Sequence, residues 1–308
     1  MRVLFMGSSA LAIPPLDGIL TSHEVPLVIA QPDRPSGRGL EVTSPPVVLY
    51  ARERGIPTYQ PSSIRVAEAI NRIEALHPDV IVVVAYGKIL PREIIKIPPL
   101  GCVNLHFSLL PKYRGAAPVN WAIVNGEEKT GVTTILISEE LDAGDILMQE
   151  SVDIYEDDTS ITLGERLAKI GKSILLSTLE GLLHGTIVPR KQDSSQATHA
   201  PMLQKEDGLI DWKRRAKDIR NLVRGMQPWP SAYTYWKGRQ IKIFDVDVEE
   251  QSPCASPGEI VCVDDAIRVA AGDGIVVINE LQMEGKKRMQ ASQFLRGTRI
   301  KVGEVFGG

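Results

Sequence analysis

Cysteine is nearly absent from this 308-residue sequence, and the three present, Cys102, Cys254 and Cys262, lie far apart with no C-x-x-C pair. That excludes a disulfide framework and a structural zinc site, and it fits a reducing cytosol. Histidine is also scarce, at five residues, and no His, Cys or Glu stands at metal-ligand spacing, so no metal is expected. No apolar run approaches the roughly 20 residues of a membrane-spanning helix. The opening MRVLFMG is too short for a signal sequence and reads as a first strand. A strong excess of one charge is lacking as well: the net charge is −3, and the chain as a whole gives no sign of a polyanionic partner. The fingerprint G-x-G-x-x-G is missing after the first strand. Gly7, Ser8 and Ser9 stand there instead, which reads as a tight strand-to-helix turn rather than a dinucleotide site. There is no internal repeat and no low-complexity segment.

What is present is an ordinary soluble composition, 43% hydrophobic and 24% charged, in a chain long enough for two domains. In the first half, β-rich runs at 2–6, 25–30, 80–85, 103–107, 132–137 and 146–154 alternate with helical stretches near 15–22, 47–54, 64–76 and 117–125. The run VIVVVA at 80–85 is apolar without alternation, as in a parallel strand covered on both faces. Alternating β and α elements predict an α/β domain, doubly wound around a mostly parallel, Rossmann-like sheet. A long helix is expected over 160–183, capped by Thr159 or Ser160 and stopped by His184 and Gly185. The boundaries follow: a catalytic domain over 1–185, a linker over 186–204 rich in Pro and Ser, and a second domain over 205–308. In the last, a helix at 216–225 precedes short strands at 232–236, 241–246, 258–263, 267–270 and 274–280, a spacing that suggests a small β-barrel. Residues 204–308 hold 17 of the 35 Lys and Arg but 15 of the 38 Asp and Glu, which tilts this part toward positive charge.

The run NLHFSLLP at 104–111, continuing into RGAAP at 114–118, carries the chemistry. A strand has a period of two, so Asn104 and His106 share one face while Leu105 and Phe107 share the other. An amide can hold a developing oxyanion and an imidazole can move a proton, the pairing that acyl transfer needs. Downstream, LDAGDIL at 141–147 offers the carboxylate of Asp142, though two Asp around a glycine are also plain turn chemistry. The segment QPDRPSGRG at 31–39 is a cationic loop, read either as simple surface or as a phosphate-contacting arm through Arg34 and Arg38. AYGKILP at 85–91 ends a buried strand and serves both as a turn and as a wall for a flat aromatic ligand. Trp229 reads as packing rather than as a base-stacking platform.

In order and spacing, NLHFSLLPKYRGAAPVNWAI, QPDRPSGRG, VVAYGKILP, LDAGDIL, IDWKRRAKDIRNLVRGMQPWPSAYT and GDGIVVINELQMEGKKRMQASQFLRG resemble the folate-dependent formyltransferases over nearly the full chain. The resemblance implies an enzyme whose donor is 10-formyltetrahydrofolate and whose acceptor is the α-amine of methionyl initiator tRNA. It further implies that Asn104 and His106 stabilise charge on the formyl oxygen and that Asp142 holds the imidazole and relays a proton. Tyr86, Gly87, Ile89 and Leu90 with Ser108, Leu109, Leu110 and Pro111 would line the folate pocket. The second domain would be OB-like. Arg34, Arg38, Arg214, Lys286 and Lys287 would contact tRNA, in a cytoplasmic monomer that touches no membrane. Two features depart from the family: the first turn reads Gly7, Ser8, Ser9, Ala10, Leu11 where relatives carry a Thr-Pro pair, an acid and an aromatic, and Leu40 and Glu41 stand where two basic residues usually continue the arginine loop. Transfer to an amino sugar on the same fold, formyl hydrolysis and a non-catalytic tRNA-binding module are the competing readings. The basic triplet Lys286, Lys287, Arg288 favours tRNA over the sugar.

Overall fold

A computed structural model describes residues 1–36, 41–251 and 254–307. The chain divides into two compact units, one of Met1–Pro118, Lys129–Asp153 and Gly164–Pro201, the other of Val119–Glu128, Ile154–Leu163 and Met202–Gly308.

In the first unit, β1 (Val3–Gly7) leads into α1 (Ile13–Ile19), then β2 (Val28–Ile29) and a hairpin of β3 (Arg34–Ser36) and β4 (Glu41–Thr43). Next come α2 (Pro46–Glu53), β5 (Thr58–Tyr59), α3 (Ala67–Glu74), β6 (Val80–Val84), α4 (Arg92–Ile95), β7 (Cys102–His106) and β8 (Arg114–Gly115). Helix α5 (Pro118–Val124), which falls in the second unit from Val119 on, precedes β9 (Lys129–Leu136) and β10 (Ile146–Asp153), then the long α6 (Ser160–Leu183), in the first unit from Gly164 on, and β11 (His199–Ala200). The main sheet is ordered β10-β9-β7-β6-β1-β2-β5. Its strands from β5 to β7 are parallel, while β9 and β10 join antiparallel at one edge. The sheet is therefore Rossmann-like but mixed. Every residue of β1 and β6 is buried, as their unbroken apolar runs require.

Parallel partners share a face, so Leu4, Ile81 and Cys102 lie on the same side as Asn104, where α3 and α4 supply Ile73 and Ile94 to the core. On the opposite side Leu105 lies against Gly171 of α6, and Thr134 of β9 shares a hydrogen bond with Thr178 of the same helix. Thr159 caps α6, its Oγ1 accepting from the backbone N–H of Thr162 at 3.2 Å. The strand order reverses at β1, between β2 and β6, and there Ser8 does structural work. Its Oγ donates to the carbonyl of Tyr86 at 3.2 Å and accepts from the N–H of Gln31 at 3.0 Å, tying together the ends of three strands. In open α/β sheets ligands bind beyond such strand ends.

The second unit holds α7 (Ala216–Gly225), β12 (Ala232–Trp236), β13 (Arg239–Glu249), β14 (Ile260–Val263), β15 (Ile267–Ala270), β16 (Ile275–Met283), β17 (Met289–Gln290) and α8 (Ala291–Gly297). Its antiparallel sheet runs β12-β13-β16-β15-β14, with β17 on β16. Ile219, Leu222 and Val223 of α7, with Met226 just past its end, join Trp212, Ile241 and Val276 in the core of this unit. The N-terminus of α7 is held by Asp273, whose carboxylate accepts from the N–H of Ala216 at 2.8 Å.

Candidate active site

Strand β7 ends in the middle of the sheet, and Asn104 and His106 leave it on one face, opposite Ile135 and Thr133 of β9. His106 is buried at 5% exposure. Its Nε2 lies 2.8 Å from the carbonyl of Tyr113. A carbonyl only accepts, so Nε2 carries the hydrogen and Nδ1 is the ring atom that faces the site. Nδ1 stands 3.7 Å from Oδ2 of Asp142, beyond hydrogen-bond length, and so is not committed to it. Asn104 Nδ2 donates to Asp142 Oδ1 at 3.2 Å, and the N–H of Gly115 donates to Asp142 Oδ2 at 2.9 Å. One nearly enclosed carboxylate, 11% exposed at its side chain, thus gathers the amide and the imidazole from β7.

Asp142 holds a left-handed backbone at φ 51°, uncommon for a side-chain-bearing residue. Two residues on, a Cβ at Gly144 would lie 1.6 Å from the carbonyl oxygen of Leu136, so only glycine lets the turn lie this close to β9. Gln192, half-buried in the stretch after α6, donates through Nε2 to the carbonyls of Asp142 and Gly144, each at 2.8 Å. The loop after His106 is fixed as well. Thr133 Oγ1 donates to the carbonyl of Ser108 at 2.6 Å and accepts from the N–H of Leu110 at 3.2 Å, and Gln149 Nε2 donates to the carbonyl of Leu110 at 2.8 Å.

A family described as formyl transferase matches residues 1–179, and one described as formyl transferase, C-terminal domain, matches residues 202–299. A methionyl-tRNA formyltransferase of Citrifermentans bemidjiense is 47% identical over 100% of this chain and 96% of its own length. One of Acetivibrio thermocellus is 44% identical over 100% of both. The chain belongs to the methionyl-tRNA formyltransferase family. Among solved structures, the sugar 3N-formyl transferase WlaRD, crystallised with dTDP and 5-N-formyl-THF, shares the fold at a TM-score of 0.68 and 19% identity, over 93% of this chain and 99% of that one.

The structure of this formyltransferase brings Asn104, His106 and Asp142 together as one cluster. The residues expected along the folate wall divide. Tyr86, Leu90 and Leu110 are buried at 2%, 6% and 3% exposure, and burial pushes the Tyr86 phenol up to about 12. Ser108 is wholly buried and donates to the carbonyl of Lys112 at 2.6 Å, while Leu109 packs against Gly131. Ile89 is open at 56% exposure, Pro111 is half-buried, and the position of a Cβ on Gly87 meets no atom within 4 Å. Backbone from 85 to 90 belongs to no helix or strand.

Of the basic residues, Arg34 begins β3 and its Nη2 donates to Gln31 Oε1 at 3.4 Å. Arg38 lies outside the described residues. Arg214, Lys286 and Lys287 are exposed, and no ion pair among the described residues engages them. Their neighbours are spent within the unit: Arg215 pairs with Asp218, Arg220 with Glu156, and Arg288 with Glu280 while stacking over Phe244. Trp229, read from sequence as packing, is 53% exposed, because the turn between α7 and β12 turns it outward.

Sequence reasoning missed Gln192, Thr198, whose Oγ1 accepts from the N–H of Tyr113 at 2.9 Å, and the role of Arg114, whose Nε and Nη2 donate to Gln192 Oε1 at 3.1 and 2.8 Å. Arg114 was visible only as part of the RGAAP run. Gln192 and Thr198 sit in a stretch without periodicity, where nothing local marks a polar side chain as reaching a distant turn.

Proposed function

We propose that this enzyme transfers the formyl group of 10-formyltetrahydrofolate to the α-amine of methionyl initiator tRNA at the cluster of Asn104, His106 and Asp142. The observation that carries the reading is the Asp142 carboxylate, met by Asn104 Nδ2 at 3.2 Å and faced by His106 Nδ1 at 3.7 Å, from a turn 38 residues beyond Asn104. The folate supplies a formyl group on N10. Asn104 donates from Nδ2 to the formyl oxygen as charge develops there. His106 donates to the same oxygen from Nδ1, which requires both ring nitrogens to carry hydrogen, because the Nε2 hydrogen is already given to Tyr113. Asp142 takes a proton from the attacking amine at Oδ2 and passes it toward the leaving nitrogen. Irregular backbone at 85–90, with the space at Gly87 and the open side chain of Ile89, fits a flat heteroaromatic ring with hydrogen-bonding edges. Ser108, Leu109, Leu110 and Pro111 shape the adjoining wall. Tyr86 and Leu90 hold that wall from behind.

The domain boundaries follow the same reading: a catalytic domain over 1–185, a connecting stretch over 186–204 that packs with the first unit as far as Pro201, and a tRNA-binding domain over 205–308. The last is OB-like. Its 11-residue β13 shifts register against β16 between Ile243 and Val246, an irregularity of the kind that bends and twists a strand. Arg34 and Arg38 on the arginine loop, with Arg214, Lys286 and Lys287, contact the tRNA backbone. The enzyme acts as a cytoplasmic monomer, and no helix among the described residues is long and apolar enough to cross a membrane.

The test is Asn104→Ala and His106→Ala, assayed by folate release with methionyl initiator tRNA and, separately, with a UDP-amino sugar. Each substitution is expected to lower kcat by about 10²–10³, the worth of one oxyanion donor. Near-normal turnover in both folded variants places the chemistry elsewhere, and transfer to the sugar alone replaces the acceptor.

A further inference from the structure

Gln192 lies in a stretch with no helix or strand of its own, yet every hydrogen-bonding valence of its amide is used. Nε2 donates to the carbonyls of Asp142 and Gly144, each at 2.8 Å, and Oε1 accepts from Arg114 Nε at 3.1 Å and Arg114 Nη2 at 2.8 Å. The guanidinium it receives is buried, 5% exposed, and the carboxylate that approaches it, Glu140 at 3.4 Å, is 77% exposed. One neutral side chain therefore orients a buried cation and pins a turn, and the turn is the one whose left-handed residue bears the carboxylate of the site. Left-handed backbone at a residue with a Cβ costs free energy and persists where its surroundings over-determine it.

We infer that Gln192 is a positioning residue that sets the carboxylate of Asp142 against Asn104 and His106. This rests on the reading of Asp142 as a catalytic group. The stretch around Gln192 is itself anchored. Arg190 and Ile146 exchange backbone hydrogen bonds at 2.7 and 2.9 Å, and Thr198 Oγ1 accepts from the N–H of Tyr113 at 2.9 Å. Tyr113 is the residue whose carbonyl receives His106 Nε2. The same strap thus fixes the carboxylate on one side of the site and the acceptor behind the imidazole on the other. An amide is needed at position 192, since a carboxylate there keeps the bonds from Arg114 but faces two backbone carbonyls with no hydrogen to give.

The experiment is a double-mutant cycle read by kcat and KM, with thermal melting to confirm the fold. Gln192→Ala is expected to lower kcat about 10–100-fold, the scale of a displacement near 1 Å at a reacting group, with KM for folate and for methionyl-tRNA nearly unchanged. Gln192→Glu is expected to lose kcat to a similar extent although it retains both bonds from Arg114. If Gln192→Ala does not fold, Gln192→Glu carries the same test. In an Asp142→Asn background, Gln192→Ala is expected to cost nothing further in kcat. Wild-type turnover in Gln192→Glu overturns the inference, because the residue would then serve only to hold Arg114. A full additional loss on top of a crippled Asp142→Asn also overturns it and leaves the catalytic reading intact. Wild-type turnover in Asp142→Asn itself sinks the catalytic reading, and the positioning role falls with it.

Discussion

Replacing Gly144 by alanine tests how tightly the catalytic turn is clamped. A Cβ built there lies 1.6 Å from the carbonyl oxygen of Leu136 and 2.8 Å from its carbon. Non-bonded heavy atoms sit comfortably at about 3.5 Å, so the turn and β9 must separate by roughly 2 Å. Strand β9 is paired on both sides, by β7 and β10, and the turn is the part that yields. Retreat breaks the bond from Leu136 N–H to the Asp145 carbonyl at 2.9 Å, strains the one from Gln192 to the Gly144 carbonyl at 2.8 Å, and pulls the Asp142 carboxylate off the N–H of Gly115 at 2.9 Å. At about 1 kcal/mol net for each bond the loss is about 3 kcal/mol of stability. For a unit of this size that lowers Tm by roughly 6–12 °C. The displaced carboxylate lowers kcat by about 10²-fold or more. Thermal melting and saturating-substrate turnover on Gly144→Ala measure both. A melt within a degree of wild type with full kcat would refute the argument, since the turn would then not be held against β9.

Two further outcomes follow from side chains away from the carboxylate. Tyr50 donates to Asp17, which Lys172 also meets at 3.0 Å, and these hydrogen bonds, Tyr50's foremost, hold the Asp17 carboxyl below its ordinary value. Burial, followed by that same bond, pushes the Tyr50 phenol up to about 12. A depressed carboxyl stabilises the native state above its unfolded value near 3.9 and loses that contribution as pH falls through the native value. A raised phenol contributes below about pH 10 and is lost on the way to 12. The Tm gap between wild type and Tyr50→Phe is therefore steady from about pH 5 to 9 and narrows at both ends; a gap that widens below pH 4 contradicts the assignment. Lys286→Ala and Lys287→Ala are each expected to weaken methionyl-tRNA binding and to flatten the slope of log Kd against log salt by about 0.7–0.9, as loss of one phosphate contact does. An unchanged slope in the double variant removes these lysines from the interface.

Elements long enough to show a period are legible in the sequence alone. The span 160–183 is the observed α6, and 216–225 the observed α7, because each repeats an apolar stripe over several turns and α6 has a cap at its start. Strands 232–236 and 267–270 likewise coincide with β12 and β15. The antiparallel edge is not legible in this way: 132–137 and 146–154 read as strands like their parallel neighbours, and direction is decided by the connection, not by the side chains. Two-residue strands such as β5, β8 and β11 carry no period at all. Residues 186–204 read as a linker for the same reason, yet as far as Pro201 they belong to the first unit.

The site is legible to the extent that its chemistry is local. Asn104 and His106 stand two apart on one strand, so period two alone puts them on one face. Asp142 needs the resemblance, because an Asp beside Ala-Gly is turn chemistry in most proteins. Along the folate wall, Tyr86 and Leu90 follow a strand covered on both faces, where apolar residues face the core and the ligand alike and sequence cannot separate them. Gln192 marks the limit. Its partners lie 48 to 78 residues away, and they are backbone carbonyls and a guanidinium that many glutamines could meet. A side chain that acts by orienting a turn leaves its signature in that turn's geometry, here the left-handed Asp142 and the contact at Gly144, and neither exists until the chain has folded.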